Sequence, residues 1–407
     1  MVEGERERVS VDQARNIAER LGEVKPTGVK LSGKAFSLES APIVAEALAA
    51  LPVGSLSRLD LSDVIASIPT EEALVVLEVF SKAACVHASS IKSLDLSDNA
   101  LGAKGLLKLS ELLKSCELDE LFLNNVGLSI DACQILAEIL VTESSSCLGL
   151  KRLEIWNNYS QSEGAIALAR VLSRAPLLEH VRISSTRIGA EGTRALSKAL
   201  VHCPRLRVLD FYDNGFDIEA LETLSQSLGL SEARVESLLM GSTSITAETL
   251  ESLASSLDLT RLQHLDLSAN ELVEEEGGKA LREFLSKCSV LQILRLDDND
   301  LQSCGLAYMC DVLEKMPLEE LSLTGTFLTA SSLPALKKII STCKNTLKKL
   351  ELNGNNISGV AVGELTEFLE SMGFRDVLGP MDENDEDAEV DEAEADEIEK
   401  LMSSLAL

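Results

Sequence analysis

The chain has 407 residues and a formal net charge of −29, from 66 acidic and 37 basic residues. It is 45% hydrophobic but only 3% aromatic, and this aliphatic, leucine-dominated content can bury a core, which excludes a disordered chain. No Lys/Arg cluster is visible, so nucleic acid and anionic membranes are disfavoured, and a basic protein partner is favoured.

Residues Met1 to Arg6 are charged and lack the apolar stretch of a secretory signal. No apolar run approaches the roughly 20 residues of a membrane span. Ser10 to Leu21 has the pattern of a helix that covers the first repeat. From about residue 28 a phrase recurs, Leu-x-Leu-x-x-Asn-x-Leu, clearest at Leu94–Leu101 and Leu265–Leu272. Twelve copies start at Val29, Leu59, Leu94, Leu121, Leu153, Val181, Leu209, Leu238, Leu265, Leu294, Leu321 and Leu350. From Leu94 onward the spacings are 27 to 32 residues, mostly 27 to 29. Within each copy Leu-x-Leu alternates like a short strand, and helical spacing follows, as in Ala165–Leu172 and Thr193–Leu200. One such unit cannot bury its own leucines, so the units must stack. The fold class is α/β: a leucine-rich-repeat solenoid, or horseshoe, with parallel strands on the concave face and helices on the convex face. The sequence divides into a capping helix region (1–27), the solenoid (28–380) and an acidic tail (381–407). Between Asp382 and Glu399 lie 12 acidic residues and no basic one, which predicts disorder. Without that run the net charge is −17.

The sixth position of each copy is Asn at 99, 158, 214, 270, 299 and 355, and Thr at 186, 243 and 326. Such side chains can satisfy buried backbone groups of the turn, so these residues are structural. Asn158-Tyr159-Ser160 and Asn356-Ile357-Ser358 match the glycosylation sequon and are read as coincidental. Nine scattered cysteines fit small packing residues better than disulfides or zinc. No phosphate-binding loop or nucleophile elbow is present, and the four histidines lack ligand spacing, so no metal or cofactor is expected. The paired carboxylates Asp297 and Asp298 fit a solvated rim better than acid/base catalysis. The informative surface is the fifth position, which should point outward. There the fourth copy differs: Leu121-Phe122-Leu123-Asn124-Asn125-Val126-Gly127-Leu128 has Val126 at the ladder position, leaving its asparagines for other work.

These units resemble the ribonuclease-inhibitor-like leucine-rich repeats, and within them the Ran GTPase-activating proteins. The resemblance rests on Leu121–Leu128, on Ser184-Ser185-Thr186-Arg187-Ile188-Gly189-Ala190-Glu191-Gly192 and on the acidic segment after the last repeat. It spans residues 28–390 and implies a monomeric, cytoplasmic activator of a Ran-type small GTPase in its GTP form, found also at the nuclear envelope and serving nucleocytoplasmic transport. Such an activator is not an enzyme by itself. The GTPase supplies a glutamine that orients the attacking water, and the resemblance implies that Asn125 holds that glutamine, without an arginine finger. Candidate contacts are Asp98, Asn124, Trp156, Asn157, Arg187, Asp213 and Asp298. Trp156, the sole tryptophan, is an interface anchor or an ordinary repeat-face aromatic.

One position departs from the pattern. Ile68, in Ala66-Ser67-Ile68-Pro69-Thr70, stands where plant-type relatives carry Arg, so activity is weaker or another basic group substitutes. Ile398 to Leu407 has the spacing of a leucine-rich export signal or of a short docking helix. The alternative function is a non-catalytic scaffold or inhibitor that binds a basic protein.

Overall fold

The computed structural model describes residues 8–65, 67–141, 147–389 and 391–405. The opening residues Met1 to Arg6, Ala66 and the end of the export-like segment therefore lie outside the described residues. The chain forms two compact units, 1–206 and 207–407.

Each repeat opens with a three- to five-residue strand. The first unit holds β1 (Gly28–Lys30), β2 (Arg58–Asp60), β3 (Ser93–Asp95), β4 (Glu120–Phe122), β5 (Arg152–Trp156) and β6 (His180–Ser184). They pair in sequence order, all parallel, with the first leucine or valine of each copy in register: Val29, Leu59, Leu94, Leu121, Leu153, Val181. The second unit repeats the arrangement with β7 (Val208–Asp210), β8 (Ser237–Leu239), β9 (His264–Asp266), β10 (Ile293–Arg295), β11 (Glu320–Ser322) and β12 (Lys349–Glu351). Register follows because shifting a strand by one residue would expose its inward leucine. A helix follows every strand, so the architecture is the expected solenoid of strands alternating with helices.

The core of each unit is a column of leucines from consecutive strands, with Leu94, Leu121, Leu153, Leu294, Leu321 and Leu350 fully buried. Burying one such side chain contributes about 1.5–3 kcal/mol, so the stack is held mainly by this column and the matching helix faces. The asparagine ladder has the role expected of it, and its wiring crosses repeats. Asn99 Oδ1 accepts from the amides of Val64 and Ile65 in the preceding repeat, and its Nδ2 donates to Leu61 and Leu96 carbonyls. Asn270 and Asn355 do the same for the turns that hold Thr243 and Thr326. Each of those threonines donates its hydroxyl to a carbonyl of its own repeat, Met240 or Leu323. A threonine copy thus relies on the asparagine of the next copy.

Seven of the nine cysteines are buried, and Cys85 and Cys304 are partly exposed. Several lie near helix ends, where carbonyls lack intrahelical partners: Cys203 Sγ donates to Leu172 O of the preceding repeat (3.6 Å) and Cys343 Sγ to Met316 O (3.4 Å). Burial pushes the thiols of Cys116, Cys203 and Cys288 up to about 12. A thiol reagent added to native protein should therefore modify Cys85 and Cys304 first, with the other seven reacting only on unfolding. Rapid labelling of all nine would contradict this packing.

The N-terminal helix is present as Val11–Val24, with Ser10 and Gln13 forming a reciprocal capping box. The acidic segment differs from the expected disorder. Asn384 lies 29 residues after Asn355, one repeat period on, and its Oδ1 accepts from the Asn355 amide. Asp385 N donates to Asn355 O, and Gly379 N to Leu350 O. The ladder therefore continues through a thirteenth, leucine-poor copy that covers the open edge of β12. The helix Glu392–Leu405 then packs on the helix Gln302–Leu313 and on the turn Ala330–Ser332. Its Glu394 accepts from Thr329 Oγ1 (2.8 Å) and Ser331 Oγ (2.9 Å), and Ile398 is buried. This geometry corresponds to the docking-helix alternative for the terminal apolar pattern. Among the described residues no helix is long and apolar enough to cross a membrane.

Candidate functional site

The fifth position of every copy shares one backbone conformation. Asp63, Asp98, Asn125, Asn157, Ser185, Asp213, Ser242, Ala269 and Asp298 all have φ between 50° and 57°, and Gly33, Gly325 and Gly354 fill the same slot. This left-handed region favours Gly, Asn and Asp, whose short side chains tolerate it. An asparagine at 125 therefore already has a backbone reason to be there. The turns are locked by rungs in which the fifth-position amide donates to the next copy: Asp98 N to Asn124 O, Asn125 N to Trp156 O, Asn157 N to Ser184 O.

What distinguishes the first unit is the side chains on those rungs. Asn157 Nδ2 donates to Asn125 Oδ1 (3.2 Å), and Asn125 Nδ2 donates to Asp98 Oδ1 (3.0 Å). An ionised Asp98 can only accept, so it sets the direction of the whole chain and the way the Asn125 amide faces. Asn125 is left with one N–H and one lone pair toward solvent. All three side chains are exposed.

A buried carboxylate supports this rim from the strand face. Glu154 accepts from Arg152 Nε (2.8 Å) and from Asn124 Nδ2 (3.3 Å), and it lies 3.4 Å from His180 Nε2. Asn124 Oδ1 in turn accepts the Trp156 amide (2.9 Å). Burial, then the nearby Arg152 guanidinium, lower His180 from its ordinary 6.5 to about 4, with Glu154 opposing them. The unfolded chain protonates this ring near 6.5 and the folded one only near 4. Over that interval the unfolded state binds more protons, so stability falls as pH drops from about 6.5 to 4. An NMR titration should find His180 still neutral at pH 6; a midpoint near 6.5 would contradict the burial.

Trp156 is 39% exposed with the Arg182 guanidinium 5.1 Å from its ring centre, and Tyr159 is 52% exposed with Arg187 at 4.4 Å. The expected contacts Asp98, Asn124, Trp156 and Asn157 thus adjoin Asn125 in the first unit, while Arg187 lies on Tyr159 in the same unit. Asp213 and Asp298 occupy the equivalent exposed turn position in the second unit. Ile68 lines an apolar cleft of about 240 Å³ with Ile65, Leu74, Leu77 and Leu101. Beside it, Arg8 Nη2 donates to Ser67 O (3.4 Å), so a basic side chain reaches this loop from the N-terminal segment. Sequence reasoning missed Glu154, Arg152 and Tyr159. Their roles depend on partners about 30 residues away, which only the repeat register brings alongside.

A leucine-rich-repeat family model matches residues 87–110, 258–281 and 343–365. The chain is 27% identical to a mouse ribonuclease inhibitor, over 69% of this chain and 62% of the inhibitor. It is 28% identical to mouse NACHT, LRR and PYD domains-containing protein 14, over 69% of this chain and 31% of that protein. It is 35% identical to RAN GTPase-activating protein 1 of Arabidopsis thaliana, over 30% of this chain and 22% of that protein. The chain therefore spans less than two thirds of the length of each of these relatives. Among solved structures, a yeast Rad7–Elc1 complex aligns over 94% of this chain and 87% of the matched chain, with TM-score 0.56 and 16% identity. An internalin of Listeria monocytogenes aligns over 88% of this chain and 92% of its own, with TM-score 0.51 and 15% identity. The chain is a leucine-rich-repeat solenoid, and its repeats are similar in sequence to those of ribonuclease inhibitors.

Proposed function

We propose that this scaffold activates a Ran-type small GTPase in its GTP form, acting in trans in the cytoplasm and at the nuclear envelope. The observation that carries the reading is the Asn125 amide, fixed by Asp98 and Asn157 with one donor and one acceptor left over. A slow GTPase is limited by the placement of its water-orienting glutamine, and a rigid amide that both donates and accepts can hold that glutamine's own amide. The stretch of 35% identity to a plant RAN GTPase-activating protein supports the same reading. Arg8, at the Ser67 carbonyl, is the basic group available where Ile68 replaces the Arg of the family pattern. Purified protein mixed with GTP-loaded Ran-type GTPase should release phosphate far faster than the GTPase alone. Absence of stimulation at micromolar protein overturns the proposal.

The second reading is a non-catalytic scaffold or inhibitor. It draws support from Ile68 in its apolar cleft and from the ribonuclease-inhibitor alignment, which covers more of both chains. On this reading the GTPase binds with its hydrolysis rate unchanged.

A further inference from the structure

The charge of this chain is not evenly spread. Residues 151–206 carry 9 basic and 4 acidic residues, while residues 207–407 carry 15 basic and 40 acidic ones. The basic stretch includes β5, β6 and their turns. Three arginines of this stretch lie over aromatic rings of the repeat before their own: Arg152 over Phe122 (5.3 Å), Arg182 over Trp156 (5.1 Å) and Arg187 over Tyr159 (4.4 Å). A guanidinium laid on a ring keeps its N–H donors in its own plane, at the edge, where a carboxylate can take two of them together. Arg152 is already engaged by Glu154. Arg187 is exposed and makes no ion pair among the described residues. Its backbone is held at φ 55°, a conformation unfavourable to a long side chain.

We infer that the Tyr159–Arg187 pair of the first unit docks an acidic, carboxylate-bearing segment of a protein partner. This is the opposite of what the net charge of −29 suggests. Exposed Tyr and Arg are among the side chains that supply most binding energy at protein interfaces, and here the two are in contact, with the exposed Trp156 three residues before Tyr159 in the chain. A nucleic acid fits less well. Its closely and regularly spaced phosphates need a row of cations, whereas a peptide can present a single carboxylate to a single guanidinium. The inference does not depend on GTPase activation, because it is read without any GTPase.

Trp156 is the only tryptophan and lies three residues before Tyr159, so its fluorescence reports this part of the first unit alone. Full-length protein is titrated at physiological salt with a short peptide of alternating Glu and Gly, its Lys counterpart, a Ser/Gly peptide and a short single-stranded oligonucleotide. The Glu peptide should shift the emission saturably, and the other three should not. Arg187→Ala should weaken the Glu peptide about tenfold, the usual size of a lost charge-assisted hydrogen bond, and Arg187→Glu should abolish the response. Arg187→Lys, which keeps the charge and loses the planar fork, should fall between wild type and Arg187→Ala. The proposal is overturned by a response to the Lys peptide, by tighter binding of the oligonucleotide, by a Glu-peptide response that Arg187→Glu leaves unchanged, or by no response at all.

Discussion

Replacing Asn125 with Gly is expected to lower stimulated GTP hydrolysis about 100-fold or more, the usual cost of removing one preorganised hydrogen-bonding group. Glycine is the decisive substitution because φ at Asn125 is 53°. Asn125→Ala would remove the amide and also force a Cβ residue with no polar compensation into the left-handed region, at a cost of about 1 kcal/mol. Its effect on rate would mix chemistry with loosening of the rim. Asn125→Gly removes the amide alone, and the rung from residue 125 N to Trp156 O can persist. Binding of the GTPase should suffer much less than the rate. Asp98→Asn tests the positioning separately. It keeps the shape but takes away the acceptor-only group that directs the Asn125 amide, so a smaller loss of rate is expected. Ile68→Arg in the same assay discriminates between the two readings: a faster rate fits an activator, and an unchanged rate with retained binding fits a scaffold. If Asn125→Gly stimulates as well as wild type, the assignment to Asn125 fails.

The fold was legible because its determinants are local and repeated. Leu-x-Leu pairs, a ladder residue five positions on and helical spacing recur often enough to give strands, turns and register. The thirteenth copy escaped notice because Leu378, in register with Leu350, is followed two residues on by Pro380 rather than by the second leucine of a Leu-x-Leu pair. Yet Asn384, one period after Asn355, was its signal. The acidic residues beside it argue for disorder by composition, but Glu394 is held by two hydroxyl donors and Ile398 supplies an apolar anchor. The site was legible only in part. Asn125 and Asn157 could be placed at the exposed turn position because outward positions can be counted along the repeat. Glu154 was not, because its value lies in contacts to Asn124 in the preceding repeat and His180 in the following one. The outward fifth position also looked freer than it is. The Asn, Asp and Gly content there reflects the left-handed backbone first, and a partner only second.

The largest stability effect is expected at Asn158, whose sequon also illustrates what the sequence leaves ambiguous. Asn158 is 2% exposed, so no glycan can be carried there in the folded chain. Its Oδ1 accepts from the amides of Val126 and Leu128, and its Nδ2 donates to the carbonyls of Leu123 and Trp156. Val126 has no polar side chain, so the Val126 and Leu128 amides of the fourth copy's turn depend on Asn158. Asn158→Ala would leave the Val126 and Leu128 amides and the Leu123 carbonyl without this partner in a buried place, while the Trp156 carbonyl keeps the Asn125 amide. At about 1–3 kcal/mol for each uncompensated group, and with relaxation recovering part, the cost should be roughly 4 kcal/mol. The equivalent sequon residue Asn356 is exposed, and Asn356→Ala should change stability by no more than about 0.5 kcal/mol. Repeats couple only to their neighbours, so the damage should be local. Hydrogen exchange should accelerate sharply at the Val126 and Leu128 amides, while Thr243 and Ile245, held by Asn270 in the other unit, keep their protection. The same turn carries Asn125, so Asn158→Ala should also depress any stimulated hydrolysis, although Asn158 itself is buried and touches no partner. Equal protection at Val126 in wild type and variant would show that the turn is held by something other than this ladder asparagine.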